Sequence, residues 1–262
     1  MIRFTIATVC YNAGHLIGRT IRSVEQQDYK GIEHLIIDGN SQDETLAQIH
    51  FYQQRNSRSQ NPHEIVCRSE PDRGIYDAMN KALRLATGDY ILYLNAGDVF
   101  HAPDVLSRIA AMLDASANRK QRPAVIYGNT DIVDENGDFV RHRRLAPPER
   151  LTWHSFKQGM LVCHQAFFAR LDIARKFTYD DEHYRLSADF DWSIRIMKEA
   201  ARLKLPLLNA RLVVADFLEG GMSKQRHKES LLERYDIMCH HYGKLSAFLQ
   251  HCWFVVRSVL KR

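Results

Sequence analysis

Between Phe4 and Leu94, four short, apolar, β-rich runs alternate with stretches of helical period, and this alternation limits the fold more than any other feature. The first run, Phe4–Cys10, has almost no polar alternation, as expected of a strand covered on both faces. Leu16, Ile17, Thr20, Ile21 and Val24 then follow helical spacing. Residues 33–38, 64–68 and 90–94 read as three further strands. Ser41 with Glu44 three residues later predicts a capping box, and Ile75, Met79 and Leu83 predict a helix that stops at Gly88. Strands alternating with helices imply an α/β fold, with a mostly parallel central sheet flanked by helices.

Beyond Leu94 the pattern changes. Val105, Leu106, Ile109, Met112 and Leu113 mark an amphipathic helix, and residues 124–140 read as strands around Glu135-Asn136-Gly137-Asp138. Residues 187–201 are helical in pattern, 207–217 extended, Gly220-Gly221 a flexible joint, and the chain from Lys228 helical. A composition of 45% hydrophobic and 26% charged residues suits a globular chain with a full core. The longest apolar run of the tail, Cys252 to Val256, is far short of the ~20 residues of a spanning helix. Five scattered cysteines without C-x-x-C spacing, and no N-terminal cleavage pattern, predict a cytoplasmic protein without disulfides or zinc. The formal net charge of +5 resides in residues 224–262, which hold eight basic and three acidic side chains. Such a tail points to an acidic surface, membrane or nucleic acid.

The chemistry concentrates in carboxylates at element ends. Asp98 follows the run Tyr90–Leu94 in the turn Asn95-Ala96-Gly97-Asp98, where α/β proteins place ligand chemistry. A turn there is expected to expose it, and Mg²⁺ or Mn²⁺ needs only one or two such protein oxygens beside substrate phosphates. Asp38, before Gly39-Asn40-Ser41, reads either as an Asx turn or as an acceptor for a nucleotide base. Asp72, before Gly74, is weak alone. Asp189 shares a helical face with Trp192 and Ile196, so an inward carboxylate there needs a functional reason. Asp191 instead pairs with Arg195 four residues on and reads as structural. His164, after an apolar run, reads as a hydrogen-bonded core residue or a ligand contact. The dinucleotide, P-loop and hydrolase fingerprints are absent.

These motifs, in this order, resemble family 2 glycosyltransferases of the GT-A fold. The opening Thr5–Asn12 and Ile36–Asp43 match the family's start. Ser69-Glu70-Pro71-Asp72-Arg73-Gly74-Ile75-Tyr76-Asp77-Ala78-Met79-Asn80 is similar to the branch that builds bacterial exopolysaccharides, including colanic-acid transferases. Leu94–Asp98 occupies the D-x-D region, with Asn95 and Gly97 where acids would stand, and Ala188-Asp189 is a reduced E-D motif. His164-Gln165 and Gly220-Gly221-Met222-Ser223 also match the branch. The resemblance implies a Rossmann-like GT-A domain at residues 1–223, with a nucleotide-sugar half at 1–98 and an acceptor half at 99–223. Residues 224–262 are expected to form a basic, amphipathic helical tail. It implies donor contacts from Thr8, Tyr11, Asp38, Asp72, Gly74, Asn80, Asn95 and Asp98, with Asp98 holding Mn²⁺ or Mg²⁺. Asp189 is implied as the general base of an inverting transfer. His164, Gln165, Gly220, Gly221, Ser223 and Lys224 are implied near acceptor or diphosphate.

The implied partners are a nucleoside-diphosphate sugar and a saccharide acceptor, lipid-linked, with no nucleic acid. Leu245, Phe248, Leu249, Cys252, Val256, Val259 and Leu260 share one helical face, flanked by Trp253 and ringed by Lys244, Arg257, Lys261 and Arg262. That pattern fits a helix on the inner membrane surface or one packed on protein. A nucleotidyltransferase lacks support because Tyr11-Asn12-Ala13-Gly14 is not a basic Gly-rich loop. A non-catalytic nucleotide-sugar-binding subunit is the remaining alternative, opposed by the presence of both Asp98 and Asp189.

Overall fold

The computed structural model describes residues 1–59, 62–114, 121–220 and 226–260, with side chains except at 255 and 257–260. Strands β1 (Phe4–Cys10), β2 (Ile32–Asp38), β3 (Glu64–Ser69) and β4 (Tyr90–Tyr93) are connected by α1 (Ile17–Glu25), α2 (Thr45–Asn56) and α3 (Ile75–Leu85). All seven residues of β1 are buried, as its nearly uniform apolar character anticipates, and all seven of β2 are buried too, Glu33, His34 and Asp38 included. The four strands pair in parallel, with Phe4 opposite Ile32 and Tyr90. Their spatial order is β3-β2-β1-β4. The chain builds outward from β1 to β3 and then returns to β1's other side, so the order reverses between β1 and β4. Loops leaving those two carboxyl ends diverge and open a crevice.

The second half is mixed. It comprises β5 (Val99–Phe100), α4 (Val105–Asp114), β6 (Val125–Val133), β7 (Phe139–His142), β8 (Phe167–Arg170), α5 (Leu171–Ala174), α6 (Ala188–Arg202) and β9 (Leu207–Leu218). The sheet continues from β4 through β8, β6 and β9 to β5, with β7 on β6. Here β6 and β9 are parallel and the other pairs antiparallel. The parallel pattern of the first half therefore does not extend through the second.

The expected capping box does not form. Helix α2 starts at Thr45, whose N–H donates to Asp43 Oδ1 at 3.0 Å, while the Ser41 hydroxyl donates to Asp38. The tail divides at Gly243, whose φ of 86° ends α7 (His227–Tyr242) before α8 (Lys244–Leu260). Helix α7 docks on α6, with the buried His241 Nε2 donating to Asp191 Oδ1 at 2.7 Å. Helix α8 buries Ala247 but leaves Leu245, Phe248, Leu249, Trp253 and Val256 exposed. Among the described residues no helix is long and apolar enough to cross a membrane.

The turn after β4 is held from α1. The buried Thr20 hydroxyl donates to the Asp98 carbonyl at 2.7 Å and accepts from Gly97 N–H at 2.9 Å. Gly97 has φ 104°, and a Cβ there would meet Leu218 at 2.8 Å. Thr20→Val should therefore cost about 1–3 kcal/mol by stranding a buried donor and acceptor. A lowered urea midpoint at unchanged m-value would show it.

Candidate active site

Two cavities meet where β1 and β4 end. The smaller, about 380 Å³, is lined by Tyr11, Asn12, Asp72, Gly74 and Ala78. The larger, about 500 Å³, is lined by Tyr76, Asp98, His164, Gln165, Asp189 and Arg234. Leu16, Ile75, Asn95 and Ala96 border both. The Tyr11 ring stands 63% exposed at the mouth of the smaller one, free to stack on a planar ligand.

Asp98 is not exposed by its turn, as the sequence led us to expect. It is 4% exposed, because β9 and the loop before β8 close over it. Its Oδ1 accepts from Leu218 N–H at 3.0 Å and its Oδ2 from Gln165 Nε2 at 2.8 Å. Burial nonetheless pushes its carboxyl up to about 6.

Asp189 opens α6 and is also buried. Its Oδ1 accepts from the Tyr76 hydroxyl at 3.1 Å and Phe190 N–H at 2.9 Å, and its Oδ2 pairs with His164 Nδ1 at 3.0 Å. Burial alone would raise this carboxyl. The His164 hydrogen bond and charge, the Arg234 charge and the Tyr76 hydrogen bond together hold it below the usual carboxylate range. Residues 164 and 165 thus bridge the two acids: His164 grips Asp189 and Gln165 grips Asp98. The far ring nitrogen of His164, Nε2, meets Asn95 Nδ2 at 3.1 Å, which leaves Asn95 Oδ1 buried without a partner.

A divalent cation fits this set. Asp98 offers two carboxylate oxygens, each with a lone pair beyond its present bond, and Asn95 adds an orphaned amide oxygen at the border of both cavities. Hard oxygen donors with room left for phosphate and water suit Mg²⁺ or Mn²⁺.

Several expected donor contacts lie elsewhere. Asp38 is wholly buried, its oxygens accepting from Ser41 N–H at 2.9 Å and from the Ser41 and Ser69 hydroxyls, which shape the loop after β2. Thr8 is buried in β1 and bonds His34 at 3.0 Å. Asn80 braces the Tyr179 backbone, accepting at 2.8 Å and donating at 2.9 Å. None of these three lines either cavity, because each is buried against protein partners. Gly220 lines the larger cavity, and Gly221, Ser223 and Lys224 lie outside the described residues. Asp191 is structural as expected, paired with Arg195 at 2.7 Å.

Sequence reasoning missed Tyr76, Arg185 and Arg234. Arg234 belongs to α7, and no hydrogen bond reaches its buried Nε. The signal was available, since Arg234 stands three, four and seven residues before the buried Ile237, Met238 and His241.

A parallel half-sheet whose strand order reverses at a crevice, continued by a mixed half, is the architecture of the GT-A fold. Residues 5–177 match the model of Glycosyl transferase family 2, and the chain belongs to that family of glycosyltransferases. It is 28% identical over 232 residues to a PGL/p-HBAD biosynthesis glycosyltransferase of Mycobacterium tuberculosis, covering 88% of this chain and 83% of that one. The amylovoran biosynthesis glycosyltransferase AmsB of Erwinia amylovora is 25% identical over 219 residues, covering 81% and 70%. Staphylococcus aureus TarS, solved with UDP-GlcNAc, superposes with a TM-score of 0.67 at 15% identity, covering 94% of this chain and 69% of TarS. The mannosyltransferase PcManGT of Pyrobaculum calidifontis, solved with GDP-Man and Mn²⁺, gives 0.60 at 14%, covering 97% and 75%.

The raised Asp98 carboxyl has a stability signature. Its pKa rises from the usual 3.8 to about 6 on folding, so the folded state holds the proton more tightly. That stabilisation is full below pH 4 and is lost as pH climbs through 6. Relative to Asp98→Asn, the wild type should lose up to roughly 3 kcal/mol between pH 4 and 7, measured by parallel denaturant titrations.

Proposed function

We propose that this chain transfers a sugar, with inversion, from a nucleoside-diphosphate sugar to a hydroxyl of a saccharide acceptor in bacterial surface-polysaccharide assembly. The observation that carries this reading is the His164-Gln165 bridge, which sets an ionised Asp189 and a buried Asp98 on one cavity. The relatives' names, in PGL/p-HBAD and amylovoran biosynthesis, support the pathway class.

The nucleotide occupies the smaller cavity, its base against Tyr11 with Asp72 and Gly74 beneath, and the diphosphate extends past Asn95. Asp98 and Asn95 would hold Mg²⁺ or Mn²⁺, which when bound neutralises charge on the diphosphate. Asp189 takes the acceptor hydroxyl proton as that oxygen bonds to the anomeric carbon and the carbon–diphosphate bond breaks on the opposite face. His164 and Tyr76 orient the Asp189 carboxylate, and His164 keeps it ionised. Arg234 and Arg185 supply positive charge for anionic groups of donor or acceptor.

Helix α7 belongs to the catalytic unit in this reading, because Glu233 accepts the N–H groups of Arg185 and Leu186 at 3.0 and 2.9 Å. Only α8 is appended. Its outward Leu245, Phe248, Leu249, Trp253 and Val256 support contact with the inner membrane surface, which would bring the enzyme to a lipid-linked acceptor.

Calorimetry with UDP and GDP, each with and without Mn²⁺, tests the donor site, and Asp189→Asn tests the base. That variant should lose ~10²–10⁴-fold in turnover while retaining nucleotide affinity within a few-fold. Parallel loss of affinity and turnover would refute the base assignment.

His164 generates a separate expectation. Removing its hydrogen bond and charge leaves burial to raise the Asp189 carboxyl, so His164→Gln should move the acidic limb of the kcat profile to higher pH. An unmoved limb with reduced kcat would make His164 a scaffold alone.

A further inference from the structure

Four side chains able to ligate a metal form a row across adjacent strands, beside the cleft but outside the lining of its two cavities. His142 on β7 stands opposite Asp131 on β6, and Asp131 stands opposite Asp216 on β9. Asp216 stands opposite Val99 on β5, and His101 follows that strand at once. Directly opposed residues project to one face of a sheet. His101 Nδ1 meets Asp216 Oδ1 at 2.7 Å and His142 Nδ1 meets Asp131 Oδ1 at 2.9 Å.

Like charges directly opposite on neighbouring strands destabilise a sheet, and Asp131 is only 6% exposed. Among the described residues no lysine or arginine forms an ion pair with either carboxylate; both rely on imidazoles. One ligand atom from each of His101, Asp131 and Asp216 lies within 4.8 Å of the others. We propose that this row is a binding site for a divalent transition-metal ion, held by His101, Asp131 and Asp216 with His142 as a fourth ligand. Mixed imidazole and carboxylate donors suit Zn²⁺ and its neighbours better than Mg²⁺. The ion would clamp β5 to β9 beside the cleft. Val99 follows Asp98 directly, and Leu218, two residues past Asp216, supplies the N–H that holds Asp98. Its role is structural and independent of the donor-site cation.

The test is Zn²⁺ titration of tag-free, EDTA-stripped protein, read by calorimetry and thermal unfolding. The expected result is one Zn²⁺ equivalent bound, with a Tm rise of about 5–10 °C at a hundredfold excess over Kd. Asp98→Asn should keep this response. Asp131→Asn with Asp216→Asn should abolish it while raising the Tm of the metal-free protein, because the repulsion is gone. If the row serves only as two His–Asp ion pairs, the double variant will melt lower and wild type will ignore Zn²⁺; either result overturns the site. His101→Ala covers the case in which the double variant fails to fold. This change at a partly exposed side chain must weaken Zn²⁺ binding at least tenfold, and unchanged binding refutes the proposal.

Discussion

The buried carboxylate of Asp98 ties together three segments remote in sequence. The turn after β4 carries it, Gln165 before β8 donates to one oxygen, and Leu218 at the end of β9 donates to the other. A carboxylate withdrawn from water requires such donors, so the chain must bring residues 165 and 218 to residue 98. That demand matches the sheet's path, which places β8 directly beside β4 and runs β9 back past β5. The mixed half of the sheet thereby closes one wall of a crevice that the parallel half opens.

Within that crevice two acids are driven in opposite directions. Asp98 has two neutral donors and its carboxyl rises; Asp189 has an imidazole, a phenol and a nearby guanidinium, and its carboxyl falls. Separation of this kind assigns different work to chemically identical side chains. Asp189 is poised as an anion, and Asp98 gains most from a positive ligand. The dipeptide His164-Gln165 enforces the difference by giving one acid an imidazole and the other an amide.

The first four strands were legible because short β-rich runs alternate with amphipathic helices, and Asp189 because helical spacing set it beside Trp192. Asp98 was legible in position but not in burial, since the residues that cover it arrive 67 and 120 positions later. Asp38 is alike: an Asp-Gly-Asn-Ser sequence reads equally as ligand contact or turn, and the Ser69 hydroxyl that bonds it comes from β3, 31 positions later. The capping box failed because Asn12 N–H donates to the Ser41 hydroxyl, which itself donates to Asp38.

The family match ends at residue 177, yet the site does not. The Arg234 charge acts on Asp189 because α7 is pinned to α6 and the segment just before it at several polar points: Asp191 with His241, Ser187 with Ser230, and Glu233 with the backbone of Arg185 and Leu186. Burial holds His241 below the usual imidazole range, and it bridges by donating through Nε2 to Asp191 and accepting at Nδ1 from Lys198 at 2.9 Å. Apolar packing alone would tolerate sliding of α7 by part of a turn, whereas directional bonds at its start, middle and end favour one register. Asp191 therefore acts at a distance: it does not line the larger cavity, yet it helps hold the helix that sets charge beside its neighbour two residues away. A segment outside the family match can thus act electrostatically on Asp189, which the head of α6 holds in the larger cavity.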